Sequence, residues 1–364
     1  MVALSVNSKY NVSVIRTAED WTVLANQWDA LLDSSMAKSM FLTYDWIQSW
    51  IRCFLTGNRR LFVVVIREAD QLIAAAPWYI EVTRCAGLKS REIRFLGTPE
   101  TGSDYLDVVA RHGCEQDAAE AIYGFLFGDG HGEWDQLSLS DFLSDSLFLF
   151  YFMNQLDEAG KFFEIQRHAY IPRAILPDSV ESFFAKMSAA RYRRSWRRLD
   201  RHQGVGLVSL SGQDSSEALA RFFRLYEAKS GYDGAYLRKF LEQFCRPESA
   251  VTLQIDFLIA ENKDVAALVH LVYEKTLHLL LMATDRTFDH RISVGIALIG
   301  KSLETAIEKK YTCYDFLKGP EEYKFHWTDT ARLSLRLFLG QRTVRSRVCT
   351  AYRLLRYFGK AMLR

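Results

Sequence analysis

Apolar and polar positions are distributed most tellingly over residues 276–327. The run 276–285 is almost wholly apolar and predicts a buried strand. A polar turn follows over 286–291, and the segment from Ile292 opens a helix expected to reach about Lys310. Ser293 suits the N-cap of that helix, and Gly295 would let a ligand approach its backbone closely. A second buried strand is expected over 311–317. Strand, helix and strand make a βαβ unit, and a helix N-terminus aimed off a strand end is suited to bind an anion.

Upstream, helical spacing is expected over 19–32 and 41–54, with Trp21, Trp28, Trp46 and Trp50 as core rings. Two antiparallel strands over 61–82 flank the polar turn 68–71, and a further strand is expected at 91–95. The Gly-, Pro- and Ser-punctuated loop from Gly97 leads into an expected strand from Tyr105 to Val109. Helices over 118–127 and 146–160 enclose a strand at 134–139. Residues 64–80 and 257–273 then repeat one pattern of apolar strand, acidic turn and Ala-rich strand. Trp134-Asp135 likewise parallels Tyr314-Asp315. Each half thus reads as a copy of one α/β unit, and only the second carries the helix-opening Gly turn. A last strand over 333–339 and a helical tail complete the chain.

Several of these segments resemble the acetyltransferase superfamily called GNAT, and within it the CelD-like branch related to Fem-type peptidyltransferases. The resemblance rests on Ser293-Val294-Gly295, on Tyr314-Asp315-Phe316, on the box Tyr323-Lys324-Phe325-His326-Trp327, and on Phe41, Trp46 and Trp50. The chain departs from the superfamily turn in having Ile292 where a Gln or Arg stands, with Arg291 one residue early. The resemblance implies an α/β fold with mixed sheets, in two tandem GNAT-like acyltransferase domains. The expected boundaries are 1–175, a copy without a cofactor site, and 176–341, a copy with an acyl-CoA site. It further implies acetyl-CoA or another acyl-CoA as co-substrate, with the pyrophosphate on the backbone of Ser293, Val294, Gly295, Ile296 and Ala297. Pantetheine would lie along Leu281, Met282, Ala283 and Thr284.

Between the halves, residues 182–203 form an expected basic helix anchored by Phe183, Phe184 and Met187. Arg191, Arg194, Arg198 and Arg201 share one helical face. That face would bind the phosphate of an acceptor, or be a solvated surface paired with acids. Helices over 222–244 are interrupted by 229–234, an expected mobile loop over the acceptor.

At 364 residues and 49% apolar content, two globular domains are affordable. The net charge is +2, yet residues 330–364 hold nine Lys/Arg and no acid, so the rest is net acidic. The tail 342–364 pairs an apolar stripe with seven basic residues. It would lie on an anionic membrane or dock on the protein's own acidic body. Six scattered cysteines without a Cys-x-x-Cys read as reduced thiols, which together with the lack of a signal or an 18-residue apolar run places the expectation in the cytoplasm, with peripheral contact at the inner face of the membrane. The histidines have no metal spacing; His270 and His278 read as core or surface residues on strands. Neither a nucleophile elbow nor a Walker or dinucleotide glycine pattern is present, and no metal or DNA is expected.

The resulting expectation is an N- or O-acyltransferase acting on an amine or hydroxyl of a cell-surface polysaccharide or a nucleotide- or lipid-linked glycan precursor. Fem-like aminoacyl transfer from charged tRNA and a non-catalytic scaffold in a polysaccharide synthesis complex are the alternatives. By resemblance to Fem-type enzymes, Asp104 would take the acceptor's proton and Lys324 would hold a phosphate or the oxyanion. Tyr323 would protonate the leaving thiolate, and Tyr105 would line the acceptor site.

Overall fold

The alternating segments fold as antiparallel ladders, and the long apolar runs fold as strands covered on both faces. The structure, a computed structural model, describes residues 9–186, 189–212, 215–230, 234–244 and 249–362. It divides into two units, the first made of residues 1–168 and 333–364, the second of residues 169–332. Cys245, Met187 and the turn 231–233 lie outside the described residues, as does the side chain of Lys229.

The first unit begins with β1 (Tyr10–Ile15), α1 (Ala18–Val23), α2 (Ala25–Asp33) and α3 (Tyr44–Phe54). There follow β2 (Arg59–Leu61), β3 (Val63–Glu68), β4 (Gln71–Ala76), β5 (Trp78–Cys85), β6 (Leu88–Phe95) and β7 (Val109–Ala110). Helix α4 (Glu115–Phe127), β8 (Gln136–Leu143) and α5 (Leu147–Glu158) lead to β9 (Phe163–Ile175), within which the chain passes to the second unit. One antiparallel sheet has the order β1-β3-β4-β7. Helix α3 presents one face of rings, with Trp46, Trp50 and Phe54 buried.

The second unit contains α6 (Val180–Lys186), α7 (Ala190–Leu199), β10 (Gly206–Ser211), α8 (Ser215–Ser230) and α9 (Ala235–Phe244). Then come β11 (Val251–Ala260), β12 (Lys263–Tyr273), β13 (Thr276–Thr284), α10 (Val294–Glu308) and β14 (Cys313–Asp315). Strands β10 to β14 are neighbours in chain order, and β14 also pairs with residues 173–175 of β9. The β13–β14 pair is parallel and the other ladders of this unit are antiparallel, so β13, α10 and β14 form the expected βαβ crossover. The chain then enters β15 (Ala331–Gly340), which pairs with β8 beyond Leu333 and lies with β6, β5 and β2 in the first unit, and ends in α11 (Val344–Met362).

Four details depart from the sequence reading. The strand expected over 311–317 is only three residues long, because the Asp315 carboxylate accepts from the Leu317 amide at 2.8 Å and Leu317 turns to a φ of 55°. The strand expected from Tyr105 starts only at Val109, because Tyr105 itself has a φ of 55°. The basic stretch 182–203 is two helices rather than one. Strand β15 and α11 belong with the first unit, where the boundary at 341 set β15 in the second, because β15 hydrogen-bonds along β8.

The second unit's core is built around α10, whose buried face includes Ile296, Ala297, Ile299, Leu303 and Ile307. Its Gly300 meets Tyr192 of α7, where a Cβ would stand 2.3 Å from the ring. Tyr192 also donates to Glu304 at 2.8 Å and stacks on Phe184, so α7 is fastened along α10.

Candidate active site in the second unit

Strands β13 and β14 pair only through Thr276–Cys313, Leu277–Tyr314 and His278–Asp315. Beyond these pairs no described residue of β14 hydrogen-bonds to β13, while β13 continues to Thr284 beside β12. A register shift at Val269/His270 leaves Leu280 as an extra residue on β13, a bulge that redirects the strand as it separates. Candidate residues Leu281, Met282, Ala283 and Thr284 therefore lie on a strand whose edge toward β14 is unpaired among the described residues. Such an edge can take up an extended amide-bearing chain.

Helix α10 begins just past that edge. Ser293 occupies its N-cap position, but its hydroxyl makes no capping bond. Instead it accepts from Arg191 of α7, at 3.2 Å from Nη2 and 3.4 Å from Nε. The amide of Val294 donates to the Ile292 carbonyl at 3.1 Å and that of Ala297 to the Ser293 carbonyl at 3.0 Å. This narrows the expected anion cradle, because the amides of Val294 and Ala297 are taken, while no backbone acceptor is found among the described residues for those of Gly295 and Ile296 in the first turn. They point out of a helix N-terminus carrying roughly half a positive charge.

Gly295 has a different reason from the one expected. A Cβ there would stand 3.0 Å from Met282 Sδ and 3.3 Å from Thr284 Cγ2, so the missing side chain lets α10 approach β13. Its contribution is to helix–strand packing.

The basic helix is also redirected. Arg191 lies on Ser293, with its Nη1 3.5 Å from His326 Nε2, and Arg198 donates to the carbonyl of Arg291. Both reach the turn that precedes α10. Arg194 is exposed and has no acidic partner among the described residues, and Arg201 lies past the end of α7. The face reserved in the sequence for an acceptor phosphate thus flanks the helix N-terminus expected to hold the donor.

The box 323–327 ties these parts together. Trp327 is buried against Phe184 and Tyr192. Lys324 is 4% exposed, and its ammonium donates to the carbonyls of Leu317 at 3.1 Å and Lys318 at 2.8 Å while pairing with Glu321 at 2.9 Å. Its three donors are spent, which removes the free ammonium that an oxyanion or phosphate role needs. Its acidic partner is Glu321. Tyr323 is half-buried, and burial pushes its phenol well above the usual range, so it stays protonated at neutral pH.

Beneath the site lies a polar network that motif reading missed. His270 is fully buried, with Nε2 2.8 Å from the Tyr314 hydroxyl and 3.4 Å from that of Ser302, and Nδ1 3.1 Å from the Asp256 carboxylate. Burial pushes Asp256 upward, but His270, Ser209 and Gln254 outweigh it and hold the carboxyl below its ordinary range. The available signal was one polar residue, His270, in the otherwise apolar run 265–272.

In the first unit, Asp104 has no exposed surface. Its loop is pinned by Ser103, whose hydroxyl accepts from Trp46 Nε1 at 2.9 Å and packs where a Cβ on Gly97 would stand 2.7 Å away. A carboxylate so enclosed does not touch an acceptor, as a general base must. Tyr105 is half-buried, its ring 6.4 Å from that of Phe41. The loop's perturbed carboxyl is Asp107, which burial pushes up to about 7 against hydrogen bonds from Ser146 and the Val108 amide.

Among the described residues no group of three or more His, Cys, Asp or Glu is arranged for a metal, and the five described cysteines form no disulfide. Burial pushes the Cys85 and Cys313 thiols up to about 11. No helix of the described residues is long and apolar enough to cross a membrane.

A family model described as an acetyltransferase (GNAT) domain matches residues 186–325, the span that holds α7, α10 and most of the 323–327 box. No curated protein matches the chain. Among solved structures, FemX superposes with a TM-score of 0.54 at 9% identity, covering 90% of this chain and 96% of that one. L-PGS from Bacillus licheniformis gives 0.53 at 12% identity over 90% and 96%. The C-terminal domain of a candidate lysylphosphatidylglycerol synthetase from Agrobacterium fabrum gives 0.51 at 13% over 93% and 97%. Identities this low speak to fold alone. Over residues 186–325 the protein has the fold of a GNAT acetyltransferase domain, in a mixed α/β architecture of two compact units whose fold is shared with FemX.

Proposed function

We infer that the protein is an acyl-CoA-dependent acyltransferase. Acetyl-CoA or a longer acyl-CoA lies along the free edge of β13, with its pyrophosphate on the amides of Gly295 and Ile296. The observation that carries this reading is the parting of β13 from β14 beside a helix N-terminus flanked by Arg191. Charge of both kinds, the helix dipole and the guanidinium, then meets the donor's phosphates. The acceptor is an amine or hydroxyl of a cell-surface polysaccharide or glycan precursor. Its nucleophilic atom attacks the thioester carbonyl and gives up its proton to solvent water, the C–S bond breaks, and the departing thiolate takes the proton of Tyr323, which water then restores. Arg191, Arg194 and Arg198 serve the donor's phosphates in this reading. Lys324 holds the turn after β14 in place through its two carbonyls, and Asp104 positions the loop that carries Tyr105.

The reading includes a site of action at the inner face of an anionic membrane. Helix α11 turns Val344, Val348, Tyr352 and Leu355 outward, with Val344 78% and Leu355 72% exposed, while Ser346 and Cys349 are buried. Arg342, Arg345 and Arg347 are exposed beside this stripe. The inner side of α11 packs on β5 and β6, so the helix both docks on its own unit and presents an apolar, basic surface. The side chains of Phe358 and Met362 lie outside the described residues.

Titration calorimetry with CoA and acetyl-CoA, with charged tRNA in parallel, tests the donor. Saturating CoA at 100 times its dissociation constant adds about 2.7 kcal/mol of stability, and acetyl-CoA with an acceptor releases a free thiol. Binding and turnover dependent on charged tRNA would establish the Fem-like alternative, and response to neither donor would leave the scaffold reading.

A further inference from the structure

A second cleft of about 390 Å³ opens in the second unit between α8 and the end of β13. Its walls include Arg221, Arg224, Asp264, Thr284, Asp285 and Arg286. Arg221 is held by Asp264 through a two-pronged contact, with Nε 2.6 Å from one oxygen, and its guanidinium lies 4.1 Å from the centre of the Phe257 ring. That pair is electrically closed. The Asp285 carboxylate accepts from the amide and hydroxyl of Thr287, both at 2.7 Å, and so rigidifies the turn that carries Arg286. Arg224 and Arg286 are exposed, and neither has an acidic partner among the described residues. The cleft therefore holds three guanidinium groups against two carboxylates, with two of the guanidinium groups uncommitted. Thr284 belongs also to the packing against Gly295, so the cleft shares a wall with the first turn of α10.

We propose that this cleft is a second anion site, separate from the amides of Gly295 and Ile296, and that it takes a phosphate monoester. Two guanidinium planes from different elements, one on a helix and one on a braced turn, suit a dianion with several acceptor oxygens. The cleft is large enough for the group and part of what bears it. The phosphate belongs either to the acceptor or to the 3′ position of CoA, and the chemistry that recognises it is the same.

The test is calorimetric titration of inorganic phosphate into the full-length protein at constant ionic strength, with wild type and an Arg224→Glu/Arg286→Glu double variant. Both residues are exposed, and unchanged thermal unfolding in phosphate-free buffer checks that the fold is kept. Wild type binds phosphate, and the variant binds it roughly tenfold more weakly or worse. CoA and dephospho-CoA then separate the sources. If the variant loses wild type's preference for CoA over dephospho-CoA, the site holds the 3′-phosphate. If the preference is unchanged while phosphate binding falls, the site serves the acceptor. Phosphate affinity and CoA preference both equal to wild type overturn the proposal. The phosphate arm reads out even where no acyl-CoA binds, so its failure and that of the donor reading are distinct.

Discussion

Arg191 holds its guanidinium 3.2 Å from the hydroxyl of Ser293, so a residue of the basic helix α7 stands at the turn from which α10 starts. The contact replaces the expected capping bond and brings a positive charge to the helix end that is already electropositive. Two like-signed features meet there, an arrangement that an arriving anion relieves. Replacing Arg191 with Ala should weaken CoA binding roughly ten- to a hundredfold, the worth of one charge-assisted contact. Titration calorimetry at low and high salt checks this, with the loss smaller at high salt. Equal affinities would remove Arg191 from the donor site.

Tyr323 carries the expected proton donation. Tyr323→Phe keeps the ring in its packing and removes the hydroxyl. Acyl transfer should slow by about 10²–10⁴-fold, the usual range for a lost acid, while CoA affinity and thermal unfolding hold. A variant of near-normal kcat would leave the thiolate to be protonated by water.

Asp107 makes the first unit pH-sensitive. Its carboxyl is pushed up to about 7 in the folded protein, above the ordinary carboxylate range, because burial disfavours the carboxylate. A raised folded value means that the stabilisation is complete below about pH 4 and is lost as pH rises through about 7. Denaturant unfolding of wild type should therefore show stability falling across that window, by an amount of the order of a few kcal/mol. Asp107→Asn should flatten this part of the curve. Parallel pH profiles for the two proteins would assign the slope to other groups.

The pairing of His270 with Tyr314 at 2.8 Å anchors β12 to β14 beneath the parting strands. Tyr314→Phe leaves a buried ring nitrogen with only the longer Ser302 contact, at 3.4 Å. The expected cost is about 1–3 kcal/mol of unfolding free energy, measured by chemical denaturation. Asp256, whose carboxyl His270 helps to hold below its ordinary range, contributes stability that is present above about pH 4 and lost in more acidic solution. A Tyr314→Phe variant as stable as wild type would mean that the network relaxes around the loss.

Helix α11 calls for substitution rather than truncation, since removing residues 342–364 would also uncover the strands on which Cys349 and Ser346 pack. Val344→Ser, Val348→Ser and Leu355→Ser together alter only its exposed stripe. Wild type should sediment with vesicles containing anionic lipid, more so at low salt, and the triple variant should remain largely in the supernatant at the same salt concentration. Equal sedimentation would end the membrane reading.

The sequence by itself determined the local plan. Period-two alternation and apolar runs located most strands, helical spacing located the helices, and the order strand–turn–helix–strand over 276–317 specified a crossover whose helix N-terminus follows a strand end. These are properties of neighbouring residues, and the chain states them directly. What only the tertiary structure decided is which partner each face meets. Gly295 reads in sequence as room for a ligand, and its neighbour is Met282 across the βαβ unit. Arg191 and Arg198 read as a free cationic face, and they close on the turn before α10. The stripe from Val344 to Leu355 reads equally well inward or outward, and the small residues Ser346 and Cys349 are the ones that pack. Lys324 and Asp104 look available to a substrate until burial and local carbonyls are seen to occupy them. Periodicity defines a face without its direction, and a charged side chain has no role until its nearest neighbours are known, because those neighbours come from segments up to a hundred residues or more away in the chain.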